Sequence, residues 1–511
     1  MKKILLAGCL LTAGWAQAQE PADALRFSFT TPGGSARVQA IGGAMGSLGG
    51  DVTATFVNPA GLAFYKTGDF IITPRYSLGR TNATYLSREE KEKRNQFTWG
   101  TTGFVIGTGG TNNVKSAAFS IAYNRAADFN NTILYRGVNN QSSYSQKFLE
   151  EIRGIKDANQ VAGNYPYGSS LAFNTYWIDT VAGGSSNNFQ FQSRAANLLS
   201  SGLIQQNTIT TKGGIDEFAL GLAVNLRNKL FIGGTIGIPV LHFEKETEFI
   251  EADATENTGN RFNYGMLKDN LTTKGVGFNI KAGLIFKPQE YWRLGFAVHS
   301  PTFYNLTDNY SATVTTDTEG YQGVQTQTSE YVAGAPSSFK YSLTTPYKLI
   351  GSISYVIREI QDVTRQRGFI TADVEYINHR ASSFSTDAEN GNNDQATKDY
   401  LKSLNTAIDN AYKGSFNFRL GGELKFTTFM VRLGGAYYSN PYQNIHGEKG
   451  SKLNLSGGLG YRNKGFFIDL TYVHAINKDV DYAYRLENGP YYAANIKQVN
   501  GNILATMGVK F

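Results

Sequence analysis

The sequence predicts an all-β membrane barrel of about 14 antiparallel strands with an N-terminal hatch inside its lumen. Three observations predict it: an export signal at the start, period-two alternation with no long apolar run, and links between the alternating segments that are short and long by turns.

The export signal occupies residues 1–18. Lys2 and Lys3 form a basic start, Ile4 to Ala16 an apolar stretch, and Ala16-Gln17-Ala18 a small-x-small cleavage site. Leu6-Ala7-Gly8-Cys9 also matches a lipoprotein box, but the apolar run is short before Cys9 and continues past it, which favours cleavage after Ala18. Cys9 is the only cysteine, so the mature chain has none and an exported disulfide scaffold is excluded. Cleavage removes Lys2 and Lys3 and no acid, so the net charge falls from +7 to +5. The basic residues are spread along the chain, so no nucleic acid partner is expected.

No later segment reaches the roughly 18 uninterrupted apolar residues of a membrane helix. A barrel strand needs only about 10 residues, of which every second one faces lipid. The C-terminal half has that pattern. Phe416, Phe418, Leu420, Gly422 and Leu424 alternate with Ser415, Asn417, Arg419, Gly421, Glu423 and Lys425. Leu453, Leu455, Gly457, Leu459 and Tyr461 alternate with polar or glycine neighbours, and Ile503, Ala505, Met507, Val509 and Phe511 share one side of the last segment. Comparable segments start near Gly68, Gln96, Lys115, Thr208, Lys229, Leu271, Tyr291, Ser337, Arg367, Ser415, Thr428, Lys452, Gly465 and Asn495. A soluble sandwich also alternates, and the links decide between the two. Short links near 107–114, 228–229, 287–291, 358–367, 427–428 and 463–464 alternate with long ones near 82–95, 129–207, 251–270, 309–336, 381–414, 440–451 and 477–492. The charged run 88–94 is expected to be part of a solvated loop.

Residues 19–66 lack alternation and are rich in Gly and Ala, which suits a compact plug; the barrel then takes 67–511. Asn58-Pro59-Ala60 reads as a helix start, because Asn caps free amides and Pro at the first helical position needs no donor. Asp51 is positioned to cap a short turn running to Val57.

The segment carries Gly34-Ser35-Ala36-Arg37, Gly42-Gly43-Ala44, Asp51 and Asn58-Pro59-Ala60-Gly61-Leu62, and in these it resembles the hatch of the FadL-type family of hydrophobic-compound channels. The likeness extends through Ile350-Gly351-Ser352, Thr371-Ala372-Asp373-Val374-Glu375-Tyr376, Arg432-Leu433-Gly434-Gly435 and Gly457-Gly458-Leu459-Gly460-Tyr461. Phe511 resembles the last residue that barrel-assembly machinery recognises. The resemblance implies a 14-stranded barrel with a hatch in the outer membrane of a Gram-negative bacterium, surrounded by lipid and lipopolysaccharide. It implies uptake of hydrophobic molecules, long-chain fatty acids first among them, and lateral delivery through a kink in the third strand. That strand, Lys115 to Asp128, has no glycine; a bulge around Asn124 and Arg125 could take its place in the kink. The alternative function is a barrel of this type serving as a partner in protein secretion or surface assembly.

Asp373, Glu375, Arg419, Glu423, Lys425, Arg432, Arg462 and Asp469 fall on polar faces. Arg419 and Arg432 either receive a ligand carboxylate or belong to a ladder of mutual ion pairs that anchors the hatch. Phe249, Phe262, Tyr264, Met266 and Leu267 flank one long link, and Phe303, Tyr304 and Leu306 lie just before the next; they predict either a greasy capture groove or an aromatic girdle. Enzyme signals are weak: the histidines are scattered, His299-Ser300 has no placed acid, and Asp387 to Lys398 departs from a calcium loop. No metal or cofactor is expected.

Overall fold

The computed structural model describes residues 21–110, 112–181, 188–255, 257–335, 337–357, 367–387, 393–443 and 450–511. The export signal, with Cys9, and His446 lie outside the described residues, as does the middle of the 387–398 stretch. The alternating segments form a closed antiparallel barrel of 14 strands. They are β1 (69–85), β2 (88–109), β3 (114–139), β4 (Leu203–Leu226), β5 (Leu230–Asp253), β6 (Tyr264–Phe286) and β7 (292–317). The second half comprises β8 (337–357), β9 (368–386), β10 (Gly414–Phe426), β11 (Phe429–Tyr438), β12 (Lys452–Asn463), β13 (Phe466–Asp481) and β14 (Ala494–Lys510). β14 closes the barrel on β1, with Met507 opposite Ile72 and Ile503 opposite Tyr76. Closure leaves no free edge in lipid.

The outward parity is apolar and exposed. Phe418, Leu420, Leu433, Leu455, Leu459, Leu470 and Ile503 all stand on the outer surface. Such a continuous apolar band is stable only in contact with lipid, so the barrel spans a membrane. Among the described residues, no helix is long and apolar enough to cross one. Chain direction places the hatch and the last residue at the short-turn end, and the long links at the other.

The strand starts fall within two residues of expectation except at three places. β2 begins at Arg88, β4 at Leu203 and β6 at Tyr264, five to eight residues ahead of the alternation. The charged run 88–94 is therefore strand, not loop: it pairs with β1 from Tyr85↔Arg88 onward. The turn is two residues, Leu86 and Ser87, both at positive φ (45° and 67°), the geometry that matches strand twist in a hairpin. Beyond the membrane both faces of a strand meet water or protein, so the hydrophobic alternation that marks the lower strand is absent. The long links carry their own structure: α4 (Ser145–Glu151), α5 (Ala158–Asn164) and α6 (Ser169–Asn174) between β3 and β4, α7 (Ser329–Ala333) before β8, and α8 (Gln395–Ala411) before β10.

The hatch comprises α1 (Pro21–Ser28), α2 (Ala36–Ala40), α3 (Ala54–Val57) and a 3-10 turn, Pro59–Phe64. Ser35 caps α2 by accepting from Val38 N, and Asn58 caps the 3-10 turn by accepting from Ala60 N. Asp51 accepts from Thr53 N at 2.9 Å, just ahead of α3, and from Ser35 Oγ at 2.8 Å.

Candidate functional site

The hatch is bonded to the wall on many sides. Ala36 N donates to Thr506 Oγ1 (2.7 Å) and Thr471 Oγ1 donates to Ala36 O (2.6 Å). Met45 N and Gly46 N both donate to Asp373, each at 3.0 Å. Asn58 Nδ2 donates to Gly46 O within the hatch (2.6 Å) and reaches Leu284 O and Phe296 O of the wall (3.3 and 3.4 Å). The Asn-Pro-Ala motif is thus a joint between hatch and barrel. Lumen-facing glycines make the fit possible: a Cβ at Gly233 would meet the Pro59 backbone, and one at Gly434 would meet Ile41 and Gly42.

Arg419 and Arg432 lie at the wall beside this contact, both fully buried. Arg419 donates to Glu375 at 2.6 Å and stands 3.9 Å from Asp373. Arg432 donates to Glu423 and Asp469, each at 2.6 Å, and Arg37 of the hatch approaches Glu423 at 3.4 Å. The guanidiniums are engaged by protein carboxylates, an arrangement that supports the anchoring ladder rather than ligand capture.

Above the hatch lies an apolar chamber. Phe27 and Phe29, from α1 and just after it, sit among Ile215, Leu241, Phe243, Tyr304, Leu306, Phe339, Tyr341 and Leu343 of the wall, with Leu401, Leu404 and Ile408 of α8 alongside. α8 begins at Asp394, whose side chain accepts from Thr397 N at 2.8 Å. The remaining cavity is about 80 Å³ and is bordered by Phe27, Thr30, Glu217, Lys281, His299 and Lys348. Lys348 Nζ donates to Thr30 Oγ1 at 3.2 Å and has no ion pair among the described residues.

The wall is interrupted beside this chamber. β2 pairs with β3 from Gly109↔Ser116 only as far as Thr102↔Tyr123. Beyond that point no backbone ladder joins 88–99 to 124–139 among the described residues. β3 slips register against β4 between Arg125 and Ala127, next to the Asn124–Arg125 position where the sequence allowed a bulge. Its next segment turns inward: Phe129 packs its ring on Phe27 and Phe243 at 5.8 and 5.4 Å between centroids. Side chains bridge the opening, with Gln96 Nε2 donating to Asp128 (2.5 Å) and Arg94 to Asn131 O (2.9 Å).

The aromatic residues singled out in the sequence separate into three settings. Phe249, Phe262 and Leu267 belong to the core of a cap over the long-link end, with Tyr144, Phe148, Trp177 and Tyr484. Tyr304 and Leu306 line the chamber. Phe303 is on the lipid side at 56% exposure, and Tyr264 and Met266 are half-buried on the outer parity of β6. They do not form one groove. The chamber residues Phe27, Phe29, Leu241, Phe243 and Phe339 were missed. Their signal is an inversion of phase: along β5 the apolar parity changes from Ile236, Ile238 and Val240 to Leu241 and Phe243, while His242 and Glu244 take the outer face. His299 Nε2 lies 2.8 Å from Val57 O, and Ser300 Oγ donates to Pro301 O, so the two are not a catalytic pair. Among the described residues no group of His, Cys, Asp and Glu is arranged to hold a metal ion.

With closed barrel, hatch and broken third strand established, solved structures supply the comparison. A FadL homologue from Pseudomonas aeruginosa matches with a TM-score of 0.54 over 95% of this chain and 100% of that one, at 12% identity. The chain has the FadL-type fold. The toluene transporter TodX of Pseudomonas putida matches with a TM-score of 0.51 over 94% and 99% of the two chains, also at 12% identity. No family model matches the chain, and no curated protein matches it. In this FadL-type barrel the break beside β3 opens on the side of the chamber, and the hatch lies between the chamber and the short-turn end.

Proposed function

We propose that the protein is a passive channel of the Gram-negative outer membrane that takes up hydrophobic molecules, long-chain fatty acids being the leading class. The observation that carries this reading is the meeting of the wall break with the apolar chamber at Ala126 to Phe129. An apolar molecule leaving the chamber sideways would pass from one greasy surface to another without crossing water. The present cavity of about 80 Å³ is far below the roughly 300–1,000 Å³ of a small-molecule site. Phe27 and Phe29 occupy the space, so ligand entry requires that they yield. Lys348, at the chamber floor, is the cation suited to a fatty-acid carboxylate, and it favours an acid over a neutral hydrocarbon.

The test is to purify the full chain in mild detergent, identify bound molecules by mass spectrometry, and measure flux of oleate and of toluene into vesicles. Co-purified acyl chains, with oleate affinity weakened in Lys348→Met while toluene is unaffected, would support the reading. A stoichiometric protein partner without ligand, and no flux of either compound, would defeat it in favour of a docking role.

A further inference from the structure

The outward face of the barrel is not uniform just beyond the apolar band. On β14 the outward residues run Val509, Met507, Ala505, Ile503, Gly501 and Val499, and the next is Lys497. On β13 they run from Phe466 to Ile476, and the next is Lys478. On β1 they run from Phe70 to Leu78, and the next is Arg80. The ten residue steps from Val509 to Val499, at about 3.3 Å each and tilted by about 40°, rise about 25 Å. That is the height of the hydrocarbon band, so these cations begin at the level of the lipid headgroups.

Register places them side by side. Lys478 is directly opposite Lys497, Lys497 opposite Asn82, Asn82 opposite Lys91, and Arg80 opposite Lys93. Residues directly opposite in antiparallel strands share a face, and like charges there repel. All five cations are exposed, and Glu89 is the single acid on the outward parity of these four strands. Lys91 stands 3.7 Å from it; Arg80, Lys93, Lys478 and Lys497 have no ion pair among the described residues.

The corresponding zone on the far side of the barrel differs. There the outward parity of β4 to β6 carries Lys212, Lys268 and Lys274 with Glu244, Glu246 and Glu248, and Lys268 pairs with Glu246 at 2.6 Å. One side neutralises itself and the other does not. We infer that the face of β13, β14, β1 and β2 formed by Arg80, Lys91, Lys93, Lys478 and Lys497 binds a phosphorylated lipid headgroup of the outer leaflet. The acyl chains would lie on Ile476, Val499 and Leu78 directly below, which is why a lipid fits this position better than a soluble anion. The inference depends on the orientation of the barrel and not on what the channel carries.

The test is native mass spectrometry of the full chain in detergent, titrated with bis-phosphorylated lipid A. Lys91, Lys93, Lys478 and Lys497 are replaced by Gln together, and Lys212, Lys268 and Lys274 are replaced by Gln in a control. The first variant should bind at least about tenfold more weakly and the control unchanged. Dephosphorylated lipid A should bind the wild type as poorly as the bis-phosphorylated lipid binds the first variant. Should that variant fail to form a heat-modifiable barrel, the pair Lys478→Gln and Lys497→Gln, with the wild type at rising salt, reads the same electrostatic term. Equal binding by wild type and variant, equal loss in the control, or indifference to the phosphates would overturn the inference.

Discussion

Replacing Arg432 by Leu separates the two roles open to the buried arginines. Arg432 has Glu423 on Nε and Asp469 on Nη1, both at 2.6 Å, and its side chain has no exposure. Removing it leaves two carboxylates in a site closed to water. Glu423 keeps Arg37 at 3.4 Å, so the larger loss falls on Asp469, whose Oδ2 is already without a hydrogen-bond partner. Breaking a buried pair in this way costs about 3–5 kcal/mol, and the residual pairing of Glu423 puts the expected loss near the lower end. Neutralising the orphaned acids as well, in Arg432→Leu with Glu423→Gln and Asp469→Asn, should recover the part of the loss that comes from the unpaired carboxylates, while Arg37, which then keeps only Gly50 O, holds the triple variant below wild type. The measurement is reversible denaturant unfolding in lipid vesicles, followed by tryptophan fluorescence. A single-variant loss below about 0.5 kcal/mol, or a triple variant as unstable as the single one, would refute the ladder. If the triple variant regains stability and loses fatty-acid affinity, Arg432 is a ligand group after all.

Further outcomes follow from the same geometry. Leu455→Arg should impair assembly by about 2–4 kcal/mol near the midplane, whereas Ser456→Arg, which replaces a side chain donating to Ala40 O at 3.1 Å, should leave an inserted barrel with a displaced hatch; band-shift and conductance assays distinguish them. Deleting 21–65 should give a barrel that inserts and leaks small polar solutes, and unchanged single-channel conductance would mean that the hatch does not fill the lumen. Trp177→Ala should open the cap to external protease, with a local loss of about 3–5 kcal/mol and no change in barrel melting, because Trp177 is buried between the cap and the outer end of β6 at Gly265, beyond the lipid-facing part of the wall. Gly50→Cys should carry normal ligand flux until a bulky maleimide is attached, and then lose it; flux indifferent to the label would rule out passage beside that residue.

The sequence was most legible where one face of a strand meets lipid and the other meets the lumen. Ser415–Lys425 and Lys452–Arg462 alternate cleanly because those conditions hold along their whole length, and both strands were placed within a residue or two. Legibility failed where strands leave the membrane. Arg88 to Arg94 carries no apolar alternation, because its outward face meets solvent or headgroups and its inward face meets β3. The hatch was legible through backbone chemistry: Asn58 and Pro59 state a helix start, and the structure adds that Asn58 is also a bond to the wall. The chamber was hidden because its residues come from the phase inversion in β5, the upper halves of β7 and β8, and α1, which are remote in sequence. Arg419 and Arg432 were recognised as lumen residues, but only coordinates assign Glu375, Glu423 and Asp469 to them.

The contacts of the hatch limit how anything can leave the barrel at the short-turn end. Ala36, Ala40, Met45, Gly46, Ser47, Thr55, Val57, Asn58 and Ala63 all bond to the wall. At about 1 kcal/mol for each such bond, expelling the hatch whole costs on the order of 10 kcal/mol before any packing is counted. A state that high is populated about once in ten million, too rarely to serve as the open form of a passive channel. Passage therefore needs a local change. The stretch Gly49 to Asp51 is the candidate, because its bonds stay inside the hatch: Gly50 N donates to Gly61 O, Arg37 donates to Gly50 O, and Ser35 and Thr53 donate to Asp51. Gly50 sits at positive φ (71°), and a Cβ added there would meet no atom within 4 Å, so the chain has room to move on that side. Shifting this loop breaks a few intrahatch bonds and leaves Asp373, Thr506 and Ser120 holding the rest. A hatch fixed to the wall at its flanks and bound only to itself in the middle can open a path without leaving the lumen.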